Sequence, residues 1–203
     1  MDRLGMDMVE LRTKRLVLRP FGEGDLEAVY RIFGDVEVNR FLPWFPVGSL
    51  GEARDFYVRR LSNHGGGNGD FYYGICLKGG RGPVGYVNVG LDDSYDLGYG
   101  LCREFWGRGI ATEAAKAVIG QLGRCGIPYV TATHDVRNPG SGRVMRRLGM
   151  RYCYSYEEQW QPKDLLVTFR LYQLNLDGNG ERVYGKYWER SAVRFVEELV
   201  DEL

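Results

Sequence analysis

The chain has 203 residues, 44% hydrophobic and 27% charged, with 27 basic and 27 acidic side chains in balance. That length suits one domain, or one domain with an appendage, and the composition belongs to an ordered globular protein rather than a disordered one. Zero net charge gives no global pull toward nucleic acid or an acidic membrane, so neither is an expected partner and a polyanionic ligand needs a local site.

In chain order, "RLVLRPF" (15–21) alternates like a first strand and ends near Pro20. A short helix from Asp25 carries Leu26, Val29, Tyr30 and Phe33 on one face. "RFLPWFPVG" (40–48) holds two prolines and cannot form a regular helix. Ser49 and Glu52 then have the spacing of a capping box for a second helix, with Leu50, Ala53, Tyr57 and Leu61 as its buried stripe. "FYYGICL" (71–77), "PVGYVNVG" (83–90) and "SYDLGYGLC" (94–102) read as an antiparallel meander. A helix runs from about 110 to 123, followed by a strand at 128–134 and a helix at 141–149 that Gly149 closes. Two long strands, 150–160 and 165–175, complete a mixed α/β sheet with helices on both faces. The composition shifts near 176, dividing a domain at 1–176 from a linker and tail at 177–203. Val193, Val196, Val200 and Leu203 in that tail predict an amphipathic helix. Its stripe packs either on its own domain or on a second subunit, the latter giving a homodimer.

Several chemistries are not expected. No apolar run approaches the ~20 residues of a spanning helix, and the start "MDRLGMDMVE" has no signal-peptide core, so cytoplasm is the expected address. Cys76, Cys102, Cys125 and Cys153 are isolated singletons and there are two histidines, so no metal site is expected. His64 in "HGGGNGD" reads as a surface residue.

The informative stretch is "REFWGRGIATEAA" (103–115), two glycines flanking an arginine just before a helix. The first ~4 N–H groups of a helix lack partners, and its macrodipole adds roughly half a positive charge. A turn without side chains lets a phosphate reach those groups. Arg108 adds a cation at the mouth, and Glu113, one turn in, suits the positive end. A Walker loop would need Gly-Lys-Ser/Thr, which is absent, and a dinucleotide fingerprint would need a small residue where Thr112 stands. A turn serving only close packing is the alternative.

Trp106-Gly107-Arg108-Gly109-Ile110-Ala111 resembles the acetyl-CoA motif R/Q-x-x-G-x-G/A of the GNAT superfamily of N-acetyltransferases. Tryptophan departs from the consensus but matches the RimJ/RimL-like branch, in which W-G-x-G-x-A-T-E-A is usual. "LRTKRLVLRPF", "FLPWFPVGSLGEARDF", "DLGYGLCREFW" and "NPGSGRVMRRLGM" match the branch in register, covering about residues 10–175.

The resemblance implies the GNAT fold, here with a C-terminal helical extension, and acetyl transfer from acetyl-CoA to a primary amine of a small molecule or protein N-terminus, by direct attack in a ternary complex. An inactive CoA-binding module on the same fold is the alternative. In the superfamily the fourth and fifth strands, here 94–102 and 128–134, splay apart around the pantetheine arm. Residues 106–112, with Thr112 the last, are implied to hold the diphosphate. Backbone groups of Tyr99, Gly100 and Leu101 are implied to meet the pantetheine amides and the thioester carbonyl. Gly98 and Gly100 fit a bulge or kink there, or simply ease strand twist.

Asn138 is implied to bind near the pantetheine arm and also reads as a helix cap before Pro139; Ser141 is implied to sit by the thiol, where it or a water protonates the leaving sulfur. Ribosomal-type relatives carry a glutamate on the next strand, where Glu157 and Glu158 stand; spacing favours Glu158 as the base. His134 reads first as a strand-end histidine with a partner. Trp44, with Phe41 as the anchoring alternative, and Tyr154, with Tyr156 as the alternative, are the expected acceptor-pocket residues.

Overall fold

The alternation in "LVLRP" sends Leu16 and Leu18 fully inward, and this strand starts a meander that ends at the site. The computed structural model describes residues 8–62 and 71–199; the readings of His64, Val200 and Leu203 lie outside them. Five antiparallel strands follow one another in space: β1 (Leu11–Arg12), β2 (Leu16–Pro20), β3 (Phe71–Leu77), β4 (Pro83–Val89) and β5 (Leu97–Leu101). A second sheet has the order β6 (Tyr129–Asp135), β8 (Leu165–Asn175), β7 (Arg151–Trp160), β9 (Arg194–Phe195), again antiparallel. A parallel bridge between Asp96 and Thr131 links β5 to β6. The expected mixed sheet is therefore split in two, because β5 and β6 diverge beyond that bridge.

Helices cover both faces. On one side α1 (Leu26–Phe33) and α2 (Leu50–Phe56) bury Ile32, Phe33 and Phe56 against Tyr72 and Tyr86. The capping box forms with one difference: Ser49 accepts from Glu52 N–H at 3.1 Å, but the Glu52 carboxylate reaches back to Gly48 N–H at 2.9 Å rather than to Ser49. On the other side α3 (Ile110–Arg124) and α4 (Pro139–Arg147) pack Ile110, Ala114, Val118, Leu122 and Met145 onto Val87, Leu97, Val130 and Ala132. Gly149, at φ 83, ends α4 with Met150 N–H returning to Met145 O at 3.1 Å, the left-handed closure its sequence suggests.

The tail corrects the expected helix. Its helical part, α5 (Lys186–Arg190), comes earlier and has five residues; the stretch expected to be helical opens with β9 instead. Tyr187 stacks on Tyr156 and Trp188 meets Tyr154 edge-on. The chain then pairs along β7, with Glu157 N–H donating to Val193 O at 2.9 Å and Phe195 opposite Ser155. It finally crosses to the other face, where Glu197 accepts from Ser155 Oγ and Arg170 and Leu199 joins the α3–α4 core. A short isolated helix is marginal in water, whereas β7 offers a row of unpaired peptide groups to a segment rich in valine and phenylalanine. Val193 and Val196 accordingly remain 47% and 68% exposed rather than forming a buried stripe.

The Arg170 guanidinium and Ser155 hydroxyl hold the Glu197 carboxyl below its ordinary value of 4.5. A depressed folded-state value means the stabilisation is complete above the unfolded value and fades as pH falls through the folded one. Glu197→Gln should therefore cost about 1–3 kcal/mol at pH 7, and calorimetric melts should show the gap from wild type closing below pH ~4. An equal gap at pH 7 and pH 3 would contradict this clip.

Candidate active site

The site begins with a change of partner along β5. Cys102 N–H donates to Val84 O and Gly90 N–H to Asp96 O, both at 2.9 Å, so the even-numbered residues from 96 to 102 bond to β4. The peptide groups of Tyr95, Leu97, Tyr99 and Leu101 must then point the other way, toward β6. Tyr95 O still meets Thr131 N–H at 3.3 Å. Beyond the Asp96–Thr131 bridge the strands part, and the peptide groups of Tyr99 and Leu101 face the gap.

The glycines of β5 have a different cause from the one expected. The β4–β5 register runs without a shift from Gly85–Leu101 to Val89–Leu97, so there is no bulge. A Cβ on Gly100 would lie 2.6 Å from Tyr86 Cε1, and one on Gly98 would lie 2.4 Å from Asn88 Oδ1. Side chains of β4 occupy that space.

At the end of β5 the chain makes one 3-10 turn (Arg103–Phe105) and then the glycine turn. Gly107 and Gly109 sit at φ 71 and 72, left-handed values that disfavour any side chain. The Trp106 indole N–H donates to Leu101 O at 2.8 Å, tying the turn to the strand edge. The first amide to close back is that of Glu113, onto Gly109 O at 3.0 Å; those of Ile110, Ala111 and Thr112 precede it. Glu113 turns away, accepting from Thr13 Oγ1 and Arg15 Nε, each at 2.6 Å, and from Arg15 N–H at 3.0 Å. Its charge is thus paired with Arg15 and does not oppose an anion at the turn. Arg15 also donates to Arg108 O at 3.0 Å, while the Arg108 guanidinium lies over Phe105 outside the cleft lining.

Across the gap, Asn138 caps α4: its Oδ1 accepts from Ser141 N–H at 3.3 Å, with Pro139 in the first turn. Tyr99 spans the two walls. Its hydroxyl donates to Ser141 O at 2.9 Å and lies 3.0 Å from Ser141 Oγ. Burial pushes the Tyr99 phenol well above its ordinary range, so it keeps its proton at neutral pH.

A cleft of about 400 Å³ opens between these walls. It gathers most of the residues singled out from sequence: Tyr99, Gly100 and Leu101 from β5; Trp106, Gly107, Gly109, Ile110, Ala111 and Thr112 from the turn and α3; Asn138 and Ser141 from α4. Four others are not brought to its lining. Arg108 is one. Trp44 turns inward, donating to Asn39 Oδ1 at 2.8 Å and meeting Phe56 edge-on, and Phe41 lines the cleft in its place. Tyr154 is buried under Trp188 with its hydroxyl on Tyr184 O at 2.7 Å. Glu158 on β7, opposite Val167 of β8, is exposed; partial desolvation raises its carboxyl, but it does not reach the lining.

Glu37, Val38, Arg143 and Arg147 also line the cleft and were not singled out. The three arginines of α4, with no acidic residue among its nine positions, were a visible signal; nothing local marks Glu37.

His134 lies beneath α4. Its Nδ1–H donates to Asp135 O at 2.8 Å and its ring fills the space beside Gly142, where a Cβ would lie 2.7 Å from Nε2. Burial lowers its pKa, so it packs as a neutral ring. The Cys102 thiol is buried and pushed up by desolvation, the opposite of an activated nucleophile.

A glycine turn opening a buried helix beside two parted strands is the arrangement the sequence motif implied. The acetyltransferase (GNAT) domain family matches residues 15–151, well over half the chain. The chain belongs to the GNAT acetyltransferase family. Among curated relatives it is 29% identical over 118 residues to the uncharacterized N-acetyltransferase p20 of Bacillus licheniformis, covering 55% of this chain and 65% of that protein. It is 25% identical over 148 residues to the uncharacterized N-acetyltransferase YnaD of Bacillus subtilis (strain 168), covering 70% and 83%. Its fold is similar to a RimL ribosomal-protein alpha-N-acetyltransferase solved with coenzyme A, at TM-score 0.71 and 21% identity over 83% of this chain and 99% of that one. It is also similar to a Vibrio cholerae spermidine N-acetyltransferase solved with CoA and spermine, at TM-score 0.68 and 14% identity over 81% and 97%.

Gly109 offers a direct check on the turn. A Cβ there would meet only Arg15 Nη2, at 3.7 Å, so strain rather than collision is the penalty. Gly109→Val should cost about 1–2 kcal/mol of stability and weaken coenzyme A binding at least ~10-fold as the amides turn away. A calorimetric Kd equal to wild type would remove the turn from the binding site.

Proposed function

We propose that this chain transfers an acetyl group from acetyl-CoA to a primary amine by direct attack in a ternary complex. The observation that carries the reading is the convergence on one cleft of the glycine turn, the Tyr99 edge of β5 and Ser141. Bound acetyl-CoA supplies the thioester that the amine attacks; the new bond is C–N and the bond broken is C–S.

The chain's own contributions follow from the geometry. Amides of Ile110, Ala111 and Thr112 present the positive end of α3 to a diphosphate. The peptide groups of Tyr99 and Leu101 at the strand gap are matched to the amides of a pantetheine arm, and a peptide N–H there stabilises negative charge on the thioester oxygen. Ser141 Oγ donates its proton to the departing sulfur and recovers one from solvent water, with the Tyr99 hydroxyl 3.0 Å away. Phe41, Val38 and Glu37 form the wall past which the acceptor enters.

An amine must be neutral to attack, and a lysine-like amine with pKa near 10.4 is overwhelmingly protonated at pH 7. Proton removal falls to Glu37, which lines the cleft, or through water to Glu158, whose carboxyl partial desolvation raises above its ordinary value. The acid limb of the kcat/KM profile identifies the base as whichever of Glu37→Gln and Glu158→Gln abolishes it.

The test is release of free thiol from acetyl-CoA with peptide N-termini, polyamines and simple amines as acceptors. Wild type should turn over at least one class, and Ser141→Ala should lower kcat by about 10²-fold with coenzyme A affinity unchanged. Tight binding without turnover on any acceptor would instead support an inactive CoA-binding module.

A further inference from the structure

Helix α4 is unusual in its charge. Its nine residues, "PGSGRVMRR", hold Arg143, Arg146 and Arg147 and no carboxylate. Most arginines of the fold that lie near a carboxylate are paired with it: Arg15 with Glu113, Arg19 with Asp25, Arg103 with Asp35, Arg137 with Asp135, Arg170 with Glu197. Among the described residues no ion pair involves the three arginines of α4.

Arg143 and Arg147 are four apart, so they share one side of the helix, and both line the cleft. Like charges at this spacing cost a helix a few tenths of a kcal/mol. The helix dipole accounts for Arg147, which lies in the last turn, but not for Arg143 in the middle, and not for the orientation of both toward the cleft. Two unpaired guanidinium groups on one wall of a cleft are suited to a phosphate, which arginine binds through paired hydrogen bonds.

The opposite wall already has its anion site, the amides that open α3. A diphosphate held there leaves the α4 arginines for a different group. Coenzyme A carries one: the ribose 3′-phosphate, a monoester with ≈ −1.5 to −2 charge at neutral pH, which matches two cations. We propose that Arg143 and Arg147 form a clamp for this 3′-phosphate, so that the protein discriminates coenzyme A from its 3′-dephospho form. The assignment rests on the acetyl-CoA reading, and the experiment separates the two.

Titration calorimetry compares coenzyme A with 3′-dephospho-coenzyme A on wild type, Arg143→Gln/Arg147→Gln and Arg146→Gln. Both cleft arginines are exposed, so the double variant leaves the core untouched. Wild type should bind coenzyme A at least ~10-fold more tightly than the dephospho form. The double variant should lose that preference while its Kd for the dephospho form stays at the wild-type value, and Arg146→Gln should retain the preference. Equal wild-type affinity for the two ligands, or an equal loss for both in the double variant, would overturn the clamp and leave the α3 site standing. No heat with either ligand would overturn the acetyl-CoA reading itself.

Discussion

Peptide groups that face a protein interior need partners, and the chain loses its partner strand β6 just as β5 begins. Up to Tyr95 the outward side of the chain bonds to β6; beyond the Asp96–Thr131 bridge it does not. An unpaired peptide group kept from water costs about 1–3 kcal/mol, so the divergence survives only where something replaces β6. At Leu101 the replacement is internal, the Trp106 indole. At Tyr99 the peptide groups open into the cleft, and an amide-rich extended ligand can complete the missing ladder. The parting of the strands thus creates both a hole and a row of peptide groups facing it.

Holding two strands apart requires that the walls be braced without closing the hole. Tyr99 supplies one brace, reaching from β5 to the backbone and hydroxyl of Ser141 in α4. His134 supports α4 from below, in a fit that only glycine at 142 permits. On the other wall α3 is anchored through Glu113 to Thr13 and Arg15, leaving its first amides directed at the cleft. Pairing Glu113 with Arg15 also removes the one negative charge of the first turn from competition with an anion. Rigid packing and binding chemistry are served by the same contacts, as preorganised recognition requires.

Much of this could be read in the chain itself because the relevant signals are local. Period-two alternation marked the strands, and the glycines at 107 and 109 marked a turn that the backbone angles explain. Asn138 and Pro139 marked the start of α4, which carried Ser141 into place. The misreadings share the opposite character. Trp44 and Phe41 lie in an aperiodic, proline-bearing segment, where no repeat tells which ring turns inward; the acceptor for the Trp44 indole, Asn39, is close in sequence but its placement is not. The tail has helical periodicity, yet its conformation is decided by an open edge on β7, a feature of the assembled sheet. Gly98 and Gly100 suggested a bulge when their cause lay on the neighbouring strand, in Tyr86 and Asn88.

Hydrogen exchange resolved to single amides tests the central claim most directly. Adding coenzyme A should slow exchange at Tyr99, Leu101 and residues 107–112, and leave the interior of β3, already paired on both sides, unchanged. Protection confined to other parts of the chain, with Tyr99 and the glycine turn exchanging as freely as before, would show that the gap between β5 and β6 is not where this protein holds its ligand.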